Sequence, residues 1–197
     1  MAEKRNMHSN GLDRRDVVRA LMSDRGGLLA VTGLGSPTWD MAAAGDDDRN
    51  FYLWGAMGGA AMMGLGLALA QPDRPVCVIT GDGEMLMGIG ALATIGARRP
   101  VNLSVVVLDN GHYGETGMQR SHTGLGTDLC AVARACGLDW VMEATDMAGV
   151  AAVRRRLHGR EGCGFARIAI ATGEYERILP ERDGAAIKTR FMTALGL

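Results

Sequence analysis

Two runs, Val76-Cys77-Val78-Ile79-Thr80 and Leu103-Ser104-Val105-Val106-Val107-Leu108, are apolar at nearly every position. They lack the alternation of polar and apolar residues that marks a strand with one wet face, so both faces of the sheet they belong to must be covered. Residues 85–97 between them have the length of a helix, which is the crossover a parallel pair requires. The same alternation of strand and helix extends along the chain. A helix is expected from Asp13, where Val17, Val18, Leu21 and Met22 recur on one face, then a strand at 28–32. Gly33 to Pro37 reads as a turn into a helix at 38–44, and residues 51–54 lead into a glycine-rich helix. A helix at 127–136, a strand at 139–142, a helix at 147–158, a strand at 166–171 and a terminal helix at 181–197 complete the pattern. The expected fold class is α/β, a doubly wound, mainly parallel sheet of about six strands with helices on both faces. Residues 1–10 are expected to be disordered, and 11–197 to form a single domain, since 197 residues with 47% hydrophobic content suffice for one ordinary core.

Charge excludes some classes of partner. A formal net charge of -1 with no dominant basic face gives no electrostatic footprint for nucleic acid or an anionic membrane. Cys77, Cys130, Cys136 and Cys163 form no CxxC pair and no zinc-ligand spacing, and the first ten residues lack the apolar core of a signal peptide. A cytoplasmic protein with reduced thiols is expected. Residues 50–72 carry no charge and reach the length of about 20 residues that a membrane span needs. Gly55, Gly58, Gly59, Gly64 and Gly66 instead favour a helix packed closely against a sheet or a ligand. Asp46-Asp47-Asp48 reads as a solvated loop, and Arg154-Arg155-Arg156 as a solvated helix face.

Open parallel sheets bind ligands beyond the carboxyl ends of their strands. After the first apolar strand comes Gly81-Asp82-Gly83-Glu84, where glycines allow backbone N–H groups to approach a phosphate at the start of the next helix. After the second comes Asp109-Asn110-Gly111-His112-Tyr113-Gly114. A Gly-Asp-Gly turn standing alone is ordinary turn chemistry. Here Asp82 and Asn110 end two strands one crossover apart, so they face each other across one crevice. A carboxylate, an amide oxygen and a backbone carbonyl are hard ligands suited to Mg²⁺ bridging diphosphate oxygens.

Gly-Asp-Gly followed, one crossover later, by a strand ending in Asp-Asn is the signature of thiamine-diphosphate enzymes. Residues 53–119 resemble the diphosphate-binding domain of sulfopyruvate and phosphonopyruvate decarboxylases, and 179–191 are similar as well. The resemblance implies the thiamine-diphosphate-binding fold, thiamine diphosphate and Mg²⁺ as cofactors, and a small 2-oxo acid as substrate. It implies that Asp82, the side chain of Asn110 and the backbone carbonyl of His112 bind the metal. Gly81, Gly83, Glu84, Tyr113 and Gly114 then surround the diphosphate together with Ser36. The Gly55 carbonyl is implied at the aminopyrimidine, with Met57 under the bent cofactor; by its setting alone, Met57 reads as a core residue. Glu84 stands where many relatives have a small polar residue, and its carboxylate repels a diphosphate unless it points away. The spacing between the two motifs is slightly longer than in larger decarboxylases, an excess the Arg98-Arg99-Pro100 turn absorbs. Gln119 and His122, in the loop after the metal-binding turn, either reach the substrate as catalytic residues or are exposed loop residues.

In the family, the glutamate that holds N1′ of the aminopyrimidine belongs to a separate pyrimidine-binding domain, for which this chain has no room. The resemblance therefore implies a beta subunit working with a pyrimidine-domain alpha subunit, and the apolar cluster of Trp54, Met57, Met62 and Met63 is expected to make the chain associate with itself as well, giving a hetero-oligomer such as a heterotetramer or larger. Two other readings stay open. One is a non-catalytic cofactor-binding subunit of a larger thiamine-diphosphate enzyme, such as an acetolactate-synthase-like carboligase; intact Asp82 and Asn110 argue against it. The other is a nucleotide-binding oxidoreductase, against which stands the lack of a GxGxxG turn followed by an acidic residue.

Overall fold

A computed structural model describes residues 11–197; the expectation for residues 1–10 lies outside them. The six strands β1 (Leu29–Thr32), β2 (Asn50–Tyr52), β3 (Val76–Gly81), β4 (Leu103–Asp109), β7 (Trp140–Ala144) and β8 (Gly164–Ala169) form one sheet in the order β2-β1-β3-β4-β8-β7. Every pairing in it is parallel. A two-stranded antiparallel ribbon, β5 (His112–Tyr113) with β6 (Gln119–Arg120), stands apart at the carboxyl edge of β4.

The apolar strands are explained by what covers them. Val76, Val78, Leu103, Val105 and Val107 join a core with α3 (Ala60–Ala70), α5 (Ala91–Arg98) and α6 (Leu129–Ala135). Their neighbours Cys77, Ile79, Val106 and Leu108 point the other way, into a core with α1 (Arg14–Met22), α2 (Ser36–Ala44) and α7 (Met147–Gly159). The helix α8 (Gly184–Leu195) closes the β2 edge, giving Phe191 to the first core and Ile187 to the second. Aspartates start four of the helices. Asp13, Asp128, Asp146 and Asp183 each accept a hydrogen bond from first-turn backbone N–H groups, which is why the terminal helix begins at 184 rather than 181.

Three expectations are corrected. The helix anticipated at 85–97 is two helices, α4 (Asp82–Met87) and α5, broken at Gly88 to Gly90. At Gly88 the backbone of Gly58 comes so close that a Cβ would lie 2.1 Å from the Gly58 carbonyl oxygen, so the break lets the glycine-rich segment reach the sheet edge. The aspartate run is not simply solvated, since Asp46 accepts hydrogen bonds from the Tyr52 hydroxyl at 2.7 Å and from Arg190 of α8 at 2.7 Å, and Asp47 pairs with Arg49. Nor is the arginine run free: Arg154 donates to the Ser23 carbonyl at 2.6 Å and Arg156 pairs with Glu161. Arg99, in the turn expected to absorb extra length, caps α5 in the left-handed conformation.

The uncharged segment forms the 11-residue helix α3, and no helix among the described residues is long and apolar enough to cross a membrane. Its two glycines differ in kind. A Cβ on Gly64 would lie 2.2 Å from a Val78 methyl carbon, whereas one on Gly66 meets nothing within 4 Å. Gly66→Ala is expected to raise stability by roughly 0.5–1 kcal/mol through helix propensity. Gly64→Ala should lower it by about 1–3 kcal/mol through overpacking. Thermal unfolding of the two variants beside the wild type checks the contrast, and an equal effect of both would contradict this packing.

Candidate functional site

The chain runs outward from β1 to the edge strand β2 and then back past β1 to β3, so the strand order reverses between β1 and β3. A crevice opens beyond the carboxyl ends of strands at such a point. A cleft of about 100 Å³ lies there. Ser36 comes from the start of α2 after β1, Gly81 from the end of β3 with Asp82, Gly83 and Glu84 from the first turn of α4, and Asn110, His112, Tyr113 and Gly114 from the segment after β4; all of them line the cleft, as does Met57.

Asp82 is the most constrained of these. It is 3% exposed and accepts hydrogen bonds from the hydroxyls of Ser121 and Thr123, the latter at 3.1 Å. Burial raises its carboxyl above the usual carboxylate range, and the nearby Asp109 adds to the rise; the two hydroxyls work against it. Asp109 ends β4 and is itself satisfied by Arg167 at 2.5 Å, Thr123 at 2.8 Å and the Gly111 N–H at 2.8 Å. The next residue, Asn110, accepts from the His112 N–H at 2.9 Å through Oδ1, and the His112 Nδ1 donates to the Asn110 carbonyl at 2.8 Å. These two bonds fold the segment back on itself.

The ribbon β5–β6 sets the direction of the His112 carbonyl. Ser121 N–H donates to the Gly111 carbonyl at 2.8 Å, which makes the adjacent His112–Arg120 pair a non-hydrogen-bonded one. The His112 backbone carbonyl therefore points out of the ladder. Among the described residues no group of three His, Cys, Asp or Glu side chains is placed to hold a metal. The candidate set is of another kind: three residues lining one cleft that carry a carboxylate, an amide oxygen and a backbone carbonyl, all oxygen donors. Such a set fits a hard divalent cation.

Glu84, whose direction the sequence left open, lines the cleft but turns its carboxylate inward. It is 5% exposed, accepts from the Thr80 hydroxyl at 2.5 Å and from the Ala60 N–H at 3.4 Å, and fills the space a side chain on Gly33 would need. Burial raises its carboxyl, while hydrogen bonds from Thr80, Ala60 and Gly58 oppose the rise. It thus joins three loops of the cleft. Gly83 has a second role beside backbone access, because a Cβ there would lie 2.7 Å from the Tyr113 ring.

Met57 is 42% exposed, so the core reading does not hold for it. Gly55, with φ +72, sits outside the residues lining the cleft, as do Gln119 and His122. The last two stand one contact behind it. The amide of Gln119 donates to the Thr116 carbonyl at 2.9 Å, and His122 Nδ1 lies 2.9 Å from the Tyr113 hydroxyl; Thr116 and Tyr113 both line the cleft. Sequence reasoning missed Ser121, Thr123, Asp109 and Arg14. Only Asp109 had a visible signal, a charge at the end of an apolar strand.

Residues 38–168 match the family model described as the C-terminal TPP-binding domain of thiamine pyrophosphate enzymes. The chain belongs to this family. Among similar thiamine pyrophosphate enzymes, the sulfopyruvate decarboxylase subunit beta of Methanocaldococcus jannaschii is 43% identical over 129 residues, which are 65% of this chain and 68% of that one. That of Methanothermobacter thermautotrophicus is 34% identical over 181 residues, 92% of this chain and 94% of the relative. The phosphonopyruvate decarboxylase of Streptomyces viridochromogenes is 39% identical over 162 residues, 82% of this chain but 40% of the relative. A solved structure from Mycobacterium smegmatis, of a chain classed as a thiamin diphosphate-dependent enzyme, superposes with a TM-score of 0.71 at 20% identity. It covers 83% of this chain and 32% of the other, and shows the shared fold.

In this member of the family the Glu84 carboxylate acts on loops rather than on a ligand, and its variants should separate the two roles. Glu84→Ala strands the Ala60 N–H and the Thr80 hydroxyl, a loss of roughly 1–3 kcal/mol of stability. Glu84→Gln should cost less and leave the affinity for thiamine diphosphate within a few-fold of wild type. A large gain in affinity on removing the charge, seen by calorimetry, would mean that the carboxylate faces the diphosphate after all.

Proposed function

We propose that this chain is the diphosphate- and metal-binding beta subunit of a thiamine-diphosphate- and Mg²⁺-dependent 2-oxo acid decarboxylase, completed by a pyrimidine-domain alpha chain. The reading is supported by Asp82, Asn110 and His112 all lining one cleft at the strand-order reversal, in a chain of this family. Asp82, Asn110 and the His112 carbonyl would hold the cation, and Ser36 with the N–H groups of the Gly81–Glu84 turn would receive the diphosphate. Gly55 and Met57 would receive the organic rings. When bound, thiamine diphosphate supplies a carbon nucleophile for the 2-oxo carbon and accepts the electron pair released with CO₂. The chain's own part is to fix the anionic end and to keep Met57 presented at the open side of the cleft. Tyr113 and Thr116 hold His122 and Gln119 close to the cleft, within reach of a substrate once the loop is covered.

Two observations support a second chain. The relatives from Methanocaldococcus jannaschii and Methanothermobacter thermautotrophicus are named as beta subunits. Met57, Met62, Met63, Leu69 and Met87 are each more than 40% exposed and belong to the glycine-rich segment, α3 and the end of α4. Apolar surface of that extent marks an interface. The relatives' names favour 3-sulfopyruvate or 3-phosphonopyruvate as substrate, and a cytoplasmic setting with no nucleic-acid or membrane partner completes the reading.

Asp82→Ala should abolish Mg²⁺-dependent binding of thiamine diphosphate while the fold persists, and Asn110→Ala should weaken it less, since it removes a neutral ligand. Because the Asp82 carboxyl is raised by burial, protons compete with the cation from a higher pH than for a free carboxylate, so wild-type affinity should decline early on acidification. Calorimetry across pH reads both effects; unchanged affinity in Asp82→Ala would end the metal assignment.

Supplied with Mg²⁺, thiamine diphosphate and a panel of 2-oxo acids, the purified chain alone should release no CO₂ at enzymatic rates. Adding a pyrimidine-domain chain should restore turnover, with the two anionic acids preferred. Turnover by the chain alone on the order of 1 per second would refute the shared site.

A further inference from the structure

Among the described residues lining the cleft, Arg14 is the one lysine or arginine. It is brought there by backbone pairing: Leu12 bridges Ile170 just past β8, with the Ala171 N–H donating to the Leu12 carbonyl at 2.8 Å, and α1 then starts at the carboxyl edge of the sheet. The Arg14 side chain is 7% exposed, and its Nε lies 3.3 Å from Asp40 Oδ2. Arg15 approaches the other oxygen of Asp40 at 3.5 Å, and both guanidinium groups stack on the Tyr175 ring.

The arrangement is incomplete as a structural ion pair. The buried Nε of Arg14 has no hydrogen-bond partner among the described residues, and neither oxygen of the fully buried Asp40 has one. A buried guanidinium normally reaches its stability through aligned, often paired, hydrogen bonds to an anion. Arg14 instead keeps its charge beside a cleft whose other charged lining groups are the carboxylates of Asp40, Asp82, Glu84 and Glu115.

Resting on the cofactor reading above, we infer that Arg14 is a diphosphate-binding residue of the cleft. A diphosphate carries more negative charge than one divalent cation neutralises, and Asp82 adds to the excess. The planar guanidinium fork matches phosphate oxygens. Position selects the diphosphate over the acid group of a substrate. α1 and α2 pack on the sheet face opposite α3, so the cleft receives Arg14, Pro37 and Asp40 from the helices of one face and Met57 from the segment leading into the helix of the other. The organic rings belong at Met57, and the anionic tail at Arg14. Asp40 holds the guanidinium in place.

The test is titration calorimetry of the full chain with Mg²⁺ and either thiamine diphosphate or inorganic diphosphate. Arg14→Gln is expected to weaken both ligands by about 10- to 100-fold, the range of a charge-assisted hydrogen bond. Arg14→Lys should fall between it and wild type. Arg14→Gln combined with Asp40→Asn, which removes the carboxylate that the single change strands, should show the same loss without a folding defect. Arg15→Gln removes the other partner of Asp40 but does not line the cleft, and should bind as wild type does. If Arg15→Gln weakens binding as much as Arg14→Gln, the effect passes through Asp40 and the inference is wrong. Wild-type affinity in Arg14→Gln, for both ligands, also overturns it, as does a selective rise in KM for anionic substrates at unchanged cofactor affinity. A wild-type chain that binds neither ligand overturns the cofactor reading itself, and this inference with it.

Discussion

A parallel sheet covered on both faces leaves its polar backbone groups only one outlet, the ends of the strands, and the rest of this molecule follows from that. The two apolar cores occupy both faces of β3 and β4, so no charged residue stands within either apolar run. Charge is then concentrated at the carboxyl edge. Asp82 and Asp109 stand immediately past apolar runs and are both about 3% exposed, held by hydroxyls, backbone N–H groups and Arg167 rather than by water. Buried carboxylates this close to one another are costly without a cation. Arg167 offsets the charge of Asp109, and the proposed cation would offset that of Asp82.

Glycine and a glutamate do the complementary work on the other wall. The backbones of Gly58 and Gly88 meet without side chains between them, and the Glu84 carboxylate reaches from the Gly81–Glu84 turn to Thr80 and Ala60. The segment carrying Gly55 and Met57 is thereby tied to the turn carrying Asp82 and Gly83. Both halves of a bent cofactor would be received by loops that share one buried carboxylate. The exposed methionines then lie on the outer side of that segment, where a second chain would close the cleft.

The legible part of the fold was the part set by local pattern. Unbroken apolar runs named the buried strands, and helical spacing of apolar residues after Asp13 named the start of α1 to within a residue. Asp82 and Asn110 were legible as cleft residues because glycine and polar residues follow apolar strands at their ends, where a parallel sheet exposes its ligand edge, and His112 was singled out only through the family resemblance. The break at Gly88 to Gly90 was not, because its cause is a backbone from 30 positions earlier pressing on the helix.

By itself the sequence determined a two-faced parallel sheet, its strand ends and the oxygen-rich turns that follow them, because periodicity and strand-end composition act over a few residues at a time. Tertiary structure alone decided which way Glu84 points, that Ser121 and Thr123 return to Asp82, and that Gln119 and His122 stand behind Thr116 and Tyr113. It alone put Arg14 in the cleft, through the pairing of Leu12 with Ile170. Contacts between residues far apart in the chain depend on how elements pack in three dimensions, and no local pattern in the sequence carries that information.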